Sequence, residues 1–285
     1  MHHDHHDDPG LRADLERMLE LERRRRALRT LAGFTAVAGL PFLGNAVSAA
    51  PGRGRPSPSP SPSPAPSPSS ACSTIPSETA GPYPGDGTNS SNGSLVNVLT
   101  QSGIVRSDIR SSFGSMSGVA AGVPLTVTLK LVNTASVCTT LNGYAVYLWH
   151  CDRDGNYSLY TVPAQNYLRG VQVTDSLGSV TFTTIFPGCY SGRWPHMHFE
   201  IYPSLSVATT GVNDVKTSQL ALPAAVCSEV YAGATGYSKS VTALKGVSLS
   251  SDGVFGNDSA ALQMATVTGS LSAGYAATLT VGISA

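Results

Sequence analysis

Two phenols and two imidazoles carry the chemistry most worth reading in this chain: Tyr157, Tyr190, His196 and His198. His196 and His198 lie in HMHFEIY, whose alternation predicts a β-strand. Strand residues two apart point to the same face, so the two rings emerge side by side, as a metal needs. Tyr190, in FPGCYSGRWPH, follows a turn and precedes His196 closely enough to share a site through that loop. Tyr157, in CDRDGNYSLY, directly follows a turn that ends a buried apolar run. Each residue also has a plainer use: a corner tyrosine often packs with its hydroxyl bonded, and an HxH pair can line a solvent-facing strand. A free phenol has a pKa near ~10, so a metal that binds it must displace its proton. A hard, highly charged ion does this best, which makes non-haem ferric iron the candidate. Such a site suits oxidative chemistry on an aromatic diol. His150, the remaining histidine of the body, is expected to support the site or the fold rather than bind metal.

The elements that must position these groups read as strands. VPLTVTLKLVN alternates Leu125, Val127, Leu129 and Leu131 against Thr126, Thr128 and Lys130. GYAVYLWHCD is almost continuously apolar, as expected of a strand covered on both faces. SVTFTTIFP, HMHFEIY and AATLTVGIS add further short runs, punctuated by Asp154-Gly155-Asn156 and Pro187-Gly188. In HMHFEIY, Met197, Phe199 and Ile201 should meet a core opposite the histidines. Long helical periodicity is missing from the body, with LPAAVCSEVYA allowing one or two turns. The expectation is an all-β fold, a β-sandwich catalytic domain over residues 72–285. No solenoid or propeller repeat, GxGxxG motif or P-loop interrupts it.

The first seventy residues read differently. HHDHHDD opens a polar stretch, read as a solvated tail, that ends in Arg23, Arg24, Arg25 and Arg26. LAGFTAVAGLPFLGNAVSAA follows, closing on small residues. A basic region, an apolar region and a small-x-small ending describe an export signal over residues 1–50, and the paired arginines fit the twin-arginine class. Pro41, Asn45 and the many small residues argue against a membrane anchor after the signal is removed. A Ser-Pro repeat then fills the linker, residues 51–71, as an extended spacer. The expected location is secreted or attached to the cell envelope. Lys plus Arg and Asp plus Glu both number 18, so no charge excess favours nucleic acid. The five cysteines, Cys72, Cys138, Cys151, Cys189 and Cys227, match no zinc module, and export permits disulfides. Cys72 with Cys138 is the pairing expected to tie the leading segment to the sheet.

Taken in order, ETAGPYPGDG, RSDIR, WHCDRDGNYS, LRGVQVTDSLGSVTFTTIFPGCYSGRWPHMHFEIY and TSQLALP resemble the intradiol ring-cleavage dioxygenases, the catechol and protocatechuate dioxygenase superfamily, especially its secreted bacterial members. The likeness runs from about Cys72 to Val226 and continues more weakly to the end. It implies Fe(III) held by Tyr157, Tyr190, His196 and His198, with Tyr190 the phenolate that gives way to substrate. Arg193 would steady charge developing on the substrate ring, and Gln219 would stand behind the histidines. Tyr83 and Arg106 would wall the substrate pocket. Cys189 departs from the bulkier residue associated with its place, which bears on pocket shape. The implied reaction opens a catechol-type ring between its two oxygenated carbons, using O2 and yielding a cis,cis-muconate-type diacid. No nicotinamide or flavin is implied. Two other classes compete: a β-sandwich module that binds a ligand or wall polymer, and a hydrolase using a metal on His196 and His198.

Overall fold

The computed structural model describes residues 72–285. The export-signal and linker expectations lie outside these residues. The described chain is mostly β-sheet with few helices. β1 (Asp86–Ser91) and β2 (Ser94–Asn97) form a small hairpin, turned by Asn92 and Gly93 at φ 50° and 77°. An Asn-Gly pair suits that left-handed turn. β3 (Pro124–Asn133) follows the expected alternation, burying Leu125, Val127, Leu129 and Leu131. β4 (Thr139–Thr140) and β5 (Ala145–Trp149) come next, then β6 (Arg169–Val173), β7 (Ser179–Ile185), β8 (His196–Tyr202) and β9 (Lys216–Ala221). β10 (Thr266–Ser270) and β11 (Gly274–Ile283) close the chain.

Two larger sheets result. In the first, β3 pairs in parallel with β11 and antiparallel with β7 and β4, while β10 flanks β11. The second runs β6-β5-β8-β9, antiparallel throughout. One apolar cluster joins their inner faces. Val127, Leu129, Phe182 and Val281 from the first sheet belong to it together with Val146, Leu148, Met197, Phe199 and Ile201 from the second. Cys72 is bonded to Cys138, as expected, while Cys151, Cys189 and Cys227 are buried thiols.

The second sheet is covered on its other face as well. Ala145, Tyr147, Trp149 and Tyr202 pack there with Val98, Leu99, Ile104 and Tyr157. This double burial is why β5 is apolar at every position and why β8 is buried from end to end. The site lies on this second face, beneath the segments before β3 and between β5 and β6.

Helices depart from expectation. α1 (Ala224–Gly233) spans ten residues rather than one or two turns, burying Cys227, Val230 and Tyr231 at helical spacing. α2 (Ser238–Lys245) has no counterpart among the expected elements: in SKSVTALK only Ser240 is fully buried, while Val241, Ala243 and Leu244 pack half-buried against the core. Among the described residues no helix is long and apolar enough to cross a membrane.

Candidate metal centre

His196 and His198 are each 2% exposed, so the HxH pair does not face solvent. Sheet register places His198 directly opposite Trp149 on β5 and Gln219 on β9. The Trp149 and His198 rings stack with centroids 5.0 Å apart and an interplanar angle of 10°. Gly81, at φ 75°, closes over the same imidazole; a Cβ there would lie 3.1 Å from His198 Cε1. The ring is therefore held between indole and backbone. His196 is fixed from its far side, where Nδ1–H donates to Trp194 O at 2.5 Å. That bond leaves Nε2 as a bare lone pair facing the centre.

The two tyrosines come from turns that are pinned to each other. Asp152 Oδ1 accepts from the N–H of Asp154 and of Asn156, each at 2.9 Å, and the turn it braces presents Tyr157. The Asp152 carbonyl accepts from Gly188 N at 2.9 Å, in the loop that carries Tyr190. Tyr231 Oη donates to Pro187 O at 3.0 Å, and Cys189 N donates to Ser240 Oγ at 2.9 Å, anchoring that loop on α1 and α2. Gly155, at φ 86°, lets the turns approach, since a Cβ there would come within 3.2 Å of Tyr190 Cβ.

Four donor atoms converge as a result. Tyr157 Oη lies 3.3 Å from Tyr190 Oη and 3.3 Å from His198 Nε2. His196 Nε2 lies 3.1 Å from both Tyr190 Oη and His198 Nε2. Hydroxyl hydrogen bonds normally close to about 2.5–3.0 Å. Ligands about 2.0–2.1 Å from one cation stand about 2.9–3.4 Å apart for angles between right and tetrahedral. The observed spacing matches the second case at every edge.

Burial pushes the Tyr157 and Tyr190 phenols up; Tyr190 raises Tyr157 further, while Arg193 and the hydrogen bond with Tyr157 partly offset the rise at Tyr190. Burial, reinforced by Arg193, holds both histidines well below their usual pKa, so the imidazoles are neutral. His198 Nδ1 is buried without a hydrogen-bond partner, although the Thr79 backbone favours a proton there. Two neutral nitrogens and two phenols that ionise only against a strong cation suit a hard trivalent ion. No cluster of three His, Cys, Asp or Glu side chains occurs among the described residues, so the phenols are needed to complete a shell around the histidine pair.

The other candidates divide. Arg193 and Gln219 join the centre: Arg193 Nη2 donates to Gln219 Oε1 at 2.6 Å, and Gln219 Nε2 donates to Thr79 O at 2.9 Å. Burial opposes the Arg193 charge, but Tyr190 and Asp252 outweigh it and raise its pKa. Tyr83 packs its ring 5.0 Å from that of Tyr157 and 5.0 Å from that of Tyr160. Arg106 is occupied elsewhere. Its guanidinium donates to the carbonyls of Arg169 and Ser111 and lies over the Phe113 ring, and burial lowers its pKa to about 10. His150 bonds Thr184 Oγ1 at 2.7 Å and the Cys151 carbonyl at 2.8 Å, a structural placement.

Sequence reading missed two residues. Asp252 receives Arg193 Nε at 3.0 Å, yet it lies in a loop far along the chain with no motif to mark it. Arg169, 1% exposed, binds the carbonyls of Tyr83, Pro84 and Ser158, and its only signal is the LRG triplet. Leu159 and Leu168, at φ 70° and 58°, bracket the loop between Tyr157 and Arg169 with strained backbone of the kind found at functional sites.

Comparison with known proteins agrees with this architecture. A dioxygenase family profile matches residues 106–215, which include all four donors and Arg193. An intradiol ring-cleavage dioxygenase from Tetranychus urticae is 26% identical, with a TM-score of 0.56 over 74% of this chain and 95% of that one. A second dioxygenase crystal structure, 24% identical with a TM-score of 0.56, covers 74% of this chain and 94% of its own. Catechol 1,2-dioxygenase from Pseudomonas arvilla C-1 is a more remote likeness, 16% identical with a TM-score of 0.41, over 73% and 61%. No curated protein sequence matches the chain. The fold and the matched segment together define a dioxygenase. Over the matched segment the chain is similar to the intradiol ring-cleavage dioxygenases.

Proposed function

We propose that the protein is an exported, non-haem Fe(III)-dependent dioxygenase that cleaves catechol-type diols between their hydroxyl-bearing carbons. The convergence of Tyr157, Tyr190, His196 and His198 within a 3.1–3.3 Å ring of donors carries this reading. Ferric iron held by those four groups would supply Lewis acidity and an electron acceptor for the bound diol. The protein groups then have separable tasks. His196 and His198, neutral and locked by Trp194, Trp149 and Gly81, hold fixed positions. Tyr157, more deeply enclosed than Tyr190, is the permanent phenolate. Tyr190 is partly exposed, so its Oη is the oxygen that can swing aside and accept a proton from a catechol hydroxyl. Arg193 aims positive charge at the ring as it gains electron density. Tyr83 walls the pocket beside Tyr157. The covered sheet face keeps bulk water from the site, and the product is a cis,cis-muconate-type diacid. Export rests on the arginine-led amino-terminal segment and the Ser-Pro spacer, which would leave the body outside the cell or on its envelope.

Iron-loaded protein should consume O2 with catechol, open the ring between the two oxygenated carbons, and show a visible phenolate-to-iron absorption band. Tyr157→Phe should remove most of that band. A colourless iron-loaded protein that leaves catechol intact would overturn the proposal, and retention of zinc with indifference to Tyr190→Phe would favour a hydrolase.

A further inference from the structure

Asp252 lies between two short 3-10 turns, Leu249–Ser251 and Phe255–Asn257, beyond α2. The residue is 3% exposed. Its Oδ2 accepts from Arg193 Nε at 3.0 Å and from Trp194 N–H at 2.6 Å. Its Oδ1 accepts from the N–H of Val254 at 2.8 Å and of Phe255 at 2.9 Å. The two backbone bonds on Oδ1 close the carboxylate's own loop, so the pair on Oδ2 is what that loop delivers to the site.

Both Oδ2 bonds lead to the donor centre. On the opposite edge of the guanidinium, Gln219 Oε1 takes Nη2, so Arg193 is clamped from two sides and Nη1 is left uncommitted. The Trp194 residue that donates to Asp252 through its N–H accepts the His196 Nδ1–H on its carbonyl. One buried carboxylate thus holds the guanidinium and the backbone that sets a histidine's tautomer. It also offsets the Arg193 charge in a site where burial alone would oppose it.

We propose that Asp252 is a positioning residue for ring cleavage, aiming Arg193 Nη1 at the bound diol. The inference rests on the functional reading above and extends it to a loop outside the matched residues 106–215. Electrostatic stabilisation of a transition state depends on groups already aimed before the reaction. An arginine anchored by Gln219 alone would reach the same contact only in a fraction of its rotamers.

The test is a double-mutant cycle on the full iron-reconstituted chain: Asp252→Asn, Arg193→Met and the pair, with Asp252→Ala as a second variant. Asp252→Asn should lower kcat about 10- to 100-fold, the usual cost of losing a supporting contact at such a site. KM should move less than about threefold, as for a contact made mainly in the transition state. Iron-to-protein ratio and melting temperature should stay close to wild type. In the Arg193→Met background the same change should alter kcat less than about threefold, because Asp252 then has nothing to aim. Equal losses in both backgrounds would overturn the proposal and make Asp252 a fold residue. So would loss of iron and early melting in both Asp252→Asn and Asp252→Ala. If wild-type protein neither binds iron nor cleaves catechol, the functional reading fails first and this inference falls with it.

Discussion

Replacing Arg169 by Met is the sharpest probe of how the site is supported. The side chain makes five hydrogen bonds, to Ser158 Oγ, Ser158 O, Pro84 O, Tyr83 O and Tyr147 Oη, at 2.7–2.9 Å. None of these acceptors is a carboxylate, so two effects oppose each other. Removing the guanidinium relieves a desolvation penalty of several kcal/mol for a buried charge. Against that, hydrogen bonds to a charged group contribute about 1.5–3 kcal/mol each, and a stranded carbonyl costs about 1–3 kcal/mol. Pro84 O keeps the Tyr147 hydroxyl at 2.7 Å, so the damage concentrates on the Tyr83 and Ser158 carbonyls. The net expectation is a loss of about 2–4 kcal/mol. For a body of this size that is a fall in Tm of about 4–16 °C, at roughly 2–4 °C per kcal/mol. Arg169→Lys should fall between, since one ammonium has three donors and cannot serve five acceptors. Because Ser158 follows Tyr157 directly, the Met variant should also retain less iron at equal fold content. Scanning calorimetry and metal analysis on the same samples read both effects. A Met variant that melts within about 2 °C of wild type would show that relief of desolvation cancels the lost bonds.

Other expectations follow from single features. Reducing the Cys72–Cys138 bond, which spans 66 residues of sequence, should destabilise the body by up to about 4 kcal/mol. A melting temperature unmoved by confirmed reduction would refute this. Burial lowers the His150 pKa from 6.5 to about 4, so the unfolded chain binds the extra proton between those values. Stability is then complete above a pH of about 6.5 and declines by about 3 kcal/mol as pH falls toward about 4. Urea midpoints across that range should show the slope, and His150→Gln should make it shallower. Gly81→Ala places a Cβ 3.1 Å from His198 Cε1 at a left-handed position. It should weaken iron retention against a chelator about tenfold or more, and unchanged retention would mean the ring has room to shift.

How much of this is legible in the sequence depends on the range of each interaction. β3 announces itself through alternating Leu, Val and Thr, and β5 through an unbroken apolar run, because both patterns are local consequences of burial. The donors are legible for the same reason: HxH on one strand and tyrosines just after turns need only neighbouring residues to be placed. The Asn92-Gly93 hairpin is equally local, although it was not among the expected strands. The parallel partnership of β3 with β11 has no local sign, since those strands are separated by almost the whole body. Arg106 and Arg169 look alike as arginines beside motifs. Only packing shows that Arg106 is spent on the Arg169 and Ser111 carbonyls, while Arg169 ties the Tyr83 segment to Ser158. Asp252 acts across 59 residues and belongs to no pattern.

The register of one sheet links stability to chemistry. Across β6, β5, β8 and β9, Arg169, Trp149, His198 and Gln219 stand in a single row of paired residues. Slipping β8 by one residue would turn Met197 and Phe199 toward the donors and send His196 and His198 into the apolar core. Burying Met197, Phe199 and Ile201, all fully enclosed, contributes roughly 1.5–3 kcal/mol apiece. Misplaced imidazoles would add the further cost of unpaired polar groups in that core. The core therefore fixes the histidine positions before any metal binds, and a substitution that loosens the inner face of β8 should scatter the donor ring even though it touches none of its members.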